Sequence, residues 1–221
     1  MARLSLEGIT VRYPEVREPT LRELDLATAD GEFVLVIGAP HSGKSTLLRA
    51  VSGHEYPVSG RVLIGGQDVT DWPPAERDAV MVFQDYALYP HMDVRENMSF
   101  ALRVAGVPKA ERHERVLEAA RLLDLTEQLA WTPDRLTGPQ RQQIALARAV
   151  VRRPAVLLMD DPLATVPPEL RDHTARQIRA LARSLSVTTL YATAAPGPMS
   201  DVADRHLRLE AGRLREQAPV R

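Results

Sequence analysis

The nine residues Gly38-Ala39-Pro40-His41-Ser42-Gly43-Lys44-Ser45-Thr46 have the spacing G-x-x-x-x-G-K-[ST] of a phosphate-binding loop. The apolar run Phe33 to Ile37 precedes it and Leu47 to Val51 follows, which predicts strand, loop, helix. A helix N-terminus presents free N–H groups and the positive end of the helix dipole to an anion. The loop amides add a nest around the phosphates. In that frame Lys44 is expected to reach the β- and γ-phosphates and Ser45 to hold Mg²⁺ through its hydroxyl. A turn that merely joined strand to helix would give no reason for the lysine and hydroxyl to follow the glycine. Composition points the same way: of 28 Lys and Arg residues, only Lys44 and Lys109 are lysines. The chain places a compact ammonium where one must fit beside phosphates, and arginine almost everywhere else. His41 is unusual, because the loop passes close to the nucleotide there and a bulky side chain has to point outward.

A second set of groups lies at the end of the apolar run Ala155 to Met159, which leads into Asp160-Asp161. A buried strand ending in acids is how a phosphate-loop protein places a carboxylate near Mg²⁺.

The elements that must position these groups are legible in outline. Leu4 to Tyr13 and Leu21 to Leu26 alternate apolar and polar residues, as half-buried strands do. Gly60 to Val69 reads as a strand with a tight turn, so the early region is expected to be an antiparallel sheet beside the nucleotide core. Val80 to Gln84 is a further short strand. From about Tyr89 to Arg135 the pattern turns helical, with a break at Gly106 to Pro108 and helical spacing over Ala110 to Leu125. Arg141 to Arg152 and Glu169 to Leu185 are helices, Val187 to Tyr191 a strand, and His206 to Leu214 a closing hairpin. The expected fold is α/β: a P-loop NTPase core with a parallel sheet, an antiparallel β subdomain and a helical insert. It forms one domain over 1–221, with the nucleotide-binding core and β subdomain in 1–88 and 136–221 and the helical subdomain in 89–135.

At 221 residues the chain can bury one sizeable core. A formal net charge of −1 argues against a general nucleic-acid binder. There is no cysteine, hence no disulfide frame and no thiol chemistry. No apolar run has the length of a membrane span and no signal-peptide pattern opens the chain, so a soluble protein is expected, with any membrane segment supplied by another chain.

The order of motifs adds a resemblance. After the phosphate loop come Val82 to Met92 (VFQDYALYPHM), then Leu136 to Gln143 (LTGPQRQQ), Ala145 to Ala149 (ALARA) and Leu157 to Leu163 (LLMDDPL). Together they closely resemble the ATP-binding subunit of ABC transporters over nearly the whole chain, and Gln84 to Met92 is most similar to the carbohydrate-importer branch, such as the maltose and trehalose systems. The resemblance implies that ATP and Mg²⁺ bind, with Tyr13 stacking on adenine and Gly38 to Thr46 holding the triphosphate. It implies that Gln84 reaches Mg²⁺ and the attacking water, that Asp160 associates with Mg²⁺, and that Asp161 stands at the position of the catalytic base. Leu136, Thr137, Gly138 and Gln140 match the signature loop, which in this family closes over ATP held by a second cassette. The implied partners are membrane permease subunits and that second cassette, in a homo- or heterodimer, with no nucleic acid. The implied location is cytoplasmic, peripheral at the inner face of the cell membrane through the permease. Importers of this branch carry a further regulatory domain after the cassette; this sequence stops at Arg221, so the expectation is a cassette without it.

Departures from the family pattern fall on its hydrolytic parts. The base is glutamate in active members and Asp161 here, one methylene shorter; a misplacement of about 1 Å can cost on the order of 100-fold in rate. The switch histidine position holds Ala194, which cannot donate to a γ-phosphate oxygen; loss of one such donor typically costs about 100- to 1000-fold. Thr137 replaces the signature serine and Pro139 its second glycine, removing an N–H but remaining compatible with a first helical turn. Ala164-Thr165-Val166-Pro167 replaces a polar Ser-Asn-Leu-Asp loop, and His41 replaces a glycine. Three readings stay open. One is the ATP-binding subunit of an importer of a sugar or related solute, with slow hydrolysis. Another is a catalytically degenerate partner or regulator in a heterodimeric ABC complex. The third is a soluble non-transport ABC protein, which the lack of a basic excess and the Gln84 to Met92 segment disfavour.

Overall fold

A computed structural model describes residues 2–83 and 88–218. The N-terminal alternation forms β1 (Leu4–Val11) and β2 (Leu21–Ala27). The buried run before the phosphate loop is β3 (Phe33–Ile37), and the helix after it is α1 (Lys44–Ser52). Then come β4 (Ser59–Ile64), β5 (Gln67–Asp68) and β6 (Ala79–Val82). The helical stretch holds α2 (Val94–Val104) and α3 (Lys109–Leu122). The chain closes with α4 (Gly138–Val150), β7 (Val156–Asp160), α5 (Pro168–Ser184), β8 (Thr188–Thr193), α6 (Met199–Val202), β9 (Arg205–Glu210) and β10 (Arg213–Glu216).

Two sheets result. One is antiparallel, in the order β2-β1-β4-β5; the other has the order β10-β9-β3-β8-β7-β6 and is parallel from β9 to β6. Period two explains why its central strands read as unbroken apolar runs: both faces are covered. Phe33, Leu35 and Ile37 pack with Leu157, Met159 and Tyr191 against residues of α2 to α5. Val34 and Val36 pack with Leu158, Leu190 and Leu207 against α1 and the antiparallel sheet. The phosphate-loop strand is thus clamped between two cores.

Element ends differ from the sequence reading by a few residues. α4 starts at Gly138 rather than Arg141, because Thr137 and Gln140 form a reciprocal capping box and Pro139 sits in the first turn. α3 ends at Leu122, and Leu123 and Leu125 are buried beyond it. β8 runs on to Thr193, in register with Ile37. Among the described residues no helix is long and apolar enough to cross a membrane.

Candidate functional site

The parallel register brings the C-terminal ends of β3, β8 and β7 side by side, the edge where ligands bind in open α/β sheets. Two backbone bonds tie the ends together. Gly38 N–H donates to Thr193 O at 3.2 Å, and Asp161 N–H to Ala192 O at 2.8 Å. The phosphate loop, the acidic pair and Ala194 therefore share one edge.

The loop can follow its path only because of its glycines. Gly43 has φ 102°, and a Cβ there would press on Thr20 O and Leu21 Cδ2 at 3.1 Å. A Cβ on Gly38 would fall 2.5 Å from Ser42 Oγ and 2.7 Å from Leu209 O. Gly43 is also the N-cap of α1 and has no side chain to offer, and no acidic residue stands in the helix's first turn. The N–H groups that a Ser or Asp cap would consume are left for an anion. Thr20, His41, Gly43, Lys44, Ser45 and Thr46 line an open pocket of about 280 Å³ at this helix start. Lys44 Nζ donates to Gly38 O at 2.9 Å and Ala39 O at 2.8 Å, which holds the ammonium over the loop. Burial lowers the Lys44 pKa below its ordinary value, and the nearby Asp160 and Asp161 carboxylates oppose that shift. Tyr13 lies alongside, its hydroxyl 3.2 Å from Thr46 Oγ1.

Asp160 ends β7, and Asp161 turns the chain with φ 46°. The Asp161 carboxylate does not stand free. Its Oδ2 accepts from Thr193 Oγ1 at 2.9 Å, and the Ala194 backbone N–H also donates to it. Burial is the largest influence on this carboxyl and raises its pKa above the usual aspartate value; the two hydrogen bonds act the other way.

The donor set fits a nucleoside triphosphate: the Lys44 ammonium, the Ser45 and Thr46 hydroxyls beside helix N–H groups, and an acidic pair close enough to act on Lys44. Among the described residues no group of three or more His, Asp or Glu could hold a metal by itself. The Ser45 hydroxyl beside the loop and the Asp160 carboxylate at the end of β7 are hard oxygen donors of the kind Mg²⁺ takes, one or two per site with phosphate oxygens and water.

Lys44, Ser45, Tyr13, Asp160 and Asp161 thus come together around the loop, and His41, exposed and at φ 62°, lies at the rim of the same pocket rather than turned away from it. Leu136 to Gln140 do not line this pocket; they form the start of α4, with Thr137 and Gly138 exposed. Gln84 lies outside the described residues. Sequence reasoning missed Thr20, which reaches the loop from the entry to β2, and the use of Thr193 as the donor to Asp161. It also missed Gln142, whose Nε2 donates to Pro162 O at 2.8 Å and ties α4 to the acidic turn. Thr193 had a signal, as the residue beside the switch position; Thr20 and Gln142 act only through the tertiary fold.

Comparison with known proteins places these features in a family. The profile described as ABC transporter matches residues 21–164. A diacetylchitobiose uptake system ATP-binding protein of Streptomyces coelicolor is 46% identical over 98% of this chain and 57% of its own length. An sn-glycerol-3-phosphate import ATP-binding protein of Chromobacterium violaceum is 44% identical over 98% of the chain and 58% of its own. The chain thus spans a little over half the length of these relatives. Among solved structures, a dimeric bacterial ABC transporter cassette matches with TM-score 0.83 at 25% identity, covering 99% of both chains. A dimeric ATP-binding cassette in a post-hydrolysis state, bound to ADP and Pi, has the same fold at TM-score 0.83 and 24% identity.

Proposed function

Because the chain belongs to the ABC transporter family, we propose that it is the ATP-binding subunit of an importer of a sugar or related small solute. The observation that carries this reading is the glycine-capped start of α1, where uncapped N–H groups, Lys44 and two hydroxyls surround one pocket. The relatives that match almost all of the chain are uptake ATP-binding proteins, which supports the importer assignment.

In this reading Lys44 exchanges its bonds to Gly38 O and Ala39 O for phosphate oxygens, so the loop opens as the ligand enters. Tyr13 offers its ring to the adenine, and Thr46 holds its hydroxyl end. Ser45, Asp160 and Gln84 are the proposed protein contacts of Mg²⁺, which when bound neutralises phosphate charge. The exposed start of α4 would close over the nucleotide of a second cassette, and ATP-driven closure would move a permease seated against the helical segment 89–135. This places the chain at the inner face of the cell membrane through its partner.

The cassette is proposed to bind ATP well and to hydrolyse it slowly. Asp161 is short, and its carboxylate is already engaged by Thr193 and Ala194 N–H. Ala194 has no side-chain donor for a γ-phosphate. These observations favour, as a second reading, a heterodimer whose other cassette carries an intact base.

Binding is tested by calorimetry with ATP and Mg²⁺ on wild type and Lys44→Ala. The variant loses a charge-assisted contact of about 1.5–3 kcal/mol, so its affinity is expected to fall more than tenfold. Equal affinities would refute binding at this loop. Co-purification with a permease tests the transport assignment separately.

A further inference from the structure

The groove between α2 and α3 gathers positive charge away from the phosphate loop. Arg95, Ser99 and Arg103 recur every fourth residue along one face of α2. Lys109, Arg112 and His113 face them from α3, over the buried Val116, around a pocket of about 220 Å³. Among the described residues no carboxylate lines it. The chain as a whole has a formal net charge of −1, so this is a local excess rather than general basicity.

Some arginines elsewhere find acids, as in Arg153 with Glu118 and Arg179 with Asp204. Glu111, the acid in the first turn of α3, is taken by Arg115. Arg95, Arg103, Lys109 and Arg112 have no ion-pair partner among the described residues. Two of these heads have other contacts. Arg103 lies over the Phe100 ring, 5.2 Å from its centre. Arg95 Nη1 donates to His113 Nδ1 at 3.3 Å. A guanidinium can only donate, so this imidazole nitrogen accepts and Nε2–H remains a donor. The first turn of α3 has Pro108 as its N-cap and no side-chain cap bond, so its positive end adds to Lys109 at the mouth of the groove.

We propose that this groove binds a phosphate oxyanion, free or as the monoester of a small molecule. Guanidinium forks and an ammonium converging without a carboxylate are the donor set that phosphate takes up. A volume of about 220 Å³ has room for a phosphate with a small organic group attached. The residues are distinct from those of the phosphate loop but belong to the segment 89–135 proposed above to seat a permease, so the groove is tested on the chain without that partner.

The test uses the full chain carrying Lys44→Ala, which silences the other phosphate-binding candidate. Calorimetry with inorganic phosphate and with phenyl phosphate is expected to give binding that weakens as salt rises. Adding Arg95→Gln and Arg112→Gln should weaken it at least about tenfold, from the loss of two charge-assisted contacts. Arg103→Gln with Lys109→Gln, both exposed positions, should weaken it in the same direction with an unchanged unfolding midpoint, which separates lost contacts from lost fold. No binding by the Lys44→Ala protein at millimolar phosphate or phenyl phosphate would overturn the proposal. So would affinities that neither pair of substitutions changes. Sedimentation with phosphatidylglycerol vesicles that depends on Arg95 and Arg112, and that free phosphate does not compete away, would assign the groove to lipid headgroups and also overturn it.

Discussion

His41 and Asp161 are both non-glycine residues in the left-handed region, with φ 62° and 46°. Only one of them has side-chain bonds that repay the strain. Asp161 gains the Thr193 hydroxyl and the Ala194 N–H, whereas the His41 side chain is exposed and its ring has no hydrogen bond among the described residues. Replacing His41 with glycine should therefore stabilise the protein by about 1 kcal/mol and raise its unfolding midpoint by about 2–4 °C, measured by calorimetric melting. An unchanged or lower midpoint would show that the loop is relaxed around histidine. At this scale the sequence was informative where chemistry fixes the residue type, as at Lys44, Ser45 and Asp160. It was silent where a residue acts through its place in the fold: the spacing of Thr193 and Asp161 does not reveal that one donates to the other.

Among the elements, α1 carries the phosphate loop, and its far end is held by a residue that the sequence disguised. Arg77 lies in the polar stretch Pro73-Pro74-Ala75-Glu76-Arg77-Asp78, where a solvated charge is the ordinary expectation. It is instead 1% exposed. It donates to Ala50 O at 2.7 Å, Val51 O at 2.9 Å, Trp72 O at 2.9 Å and Thr70 O at 2.6 Å. Those first two carbonyls belong to the last turn of α1 and have no helical partner. Arg77→Met should cost about 3 kcal/mol or more, since several buried carbonyls lose a charged donor. Denaturant unfolding checks this, and a loss under about 1 kcal/mol would mean that water replaces the guanidinium. The start of α4 makes a similar case. Thr137→Ala removes one half of its capping box and should cost about 1 kcal/mol, while Thr137→Ser should cost little. Equal losses would locate the effect in the methyl group rather than the hydroxyl. The helix was legible from its apolar spacing, but its start was placed at Arg141, because that spacing begins only past the capping box of Thr137 and Gln140.

At the scale of the molecule, the strand order β10-β9-β3-β8-β7-β6 sets the hydrolytic groups at one edge. Strand alternation, the phosphate loop and the acidic strand end made the two-sheet layout readable in advance. The basic groove between α2 and α3 was not, because its residues are scattered charges until two helices pack together. Intact scaffold and altered residues at the hydrolytic positions are the grounds for the central proposal, that this cassette binds ATP and turns it over slowly. The most direct test is steady-state phosphate release at saturating ATP and Mg²⁺, on wild type beside Asp161→Glu with Ala194→His. The account predicts a wild-type rate well below about 1 s⁻¹, the lower end of common enzyme turnover. It predicts that the double variant releases phosphate more than about tenfold faster, or about 1.4 kcal/mol of barrier, at nearly unchanged ATP affinity. A wild-type rate at or above about 1 s⁻¹, or a double variant no faster than its parent, would contradict it.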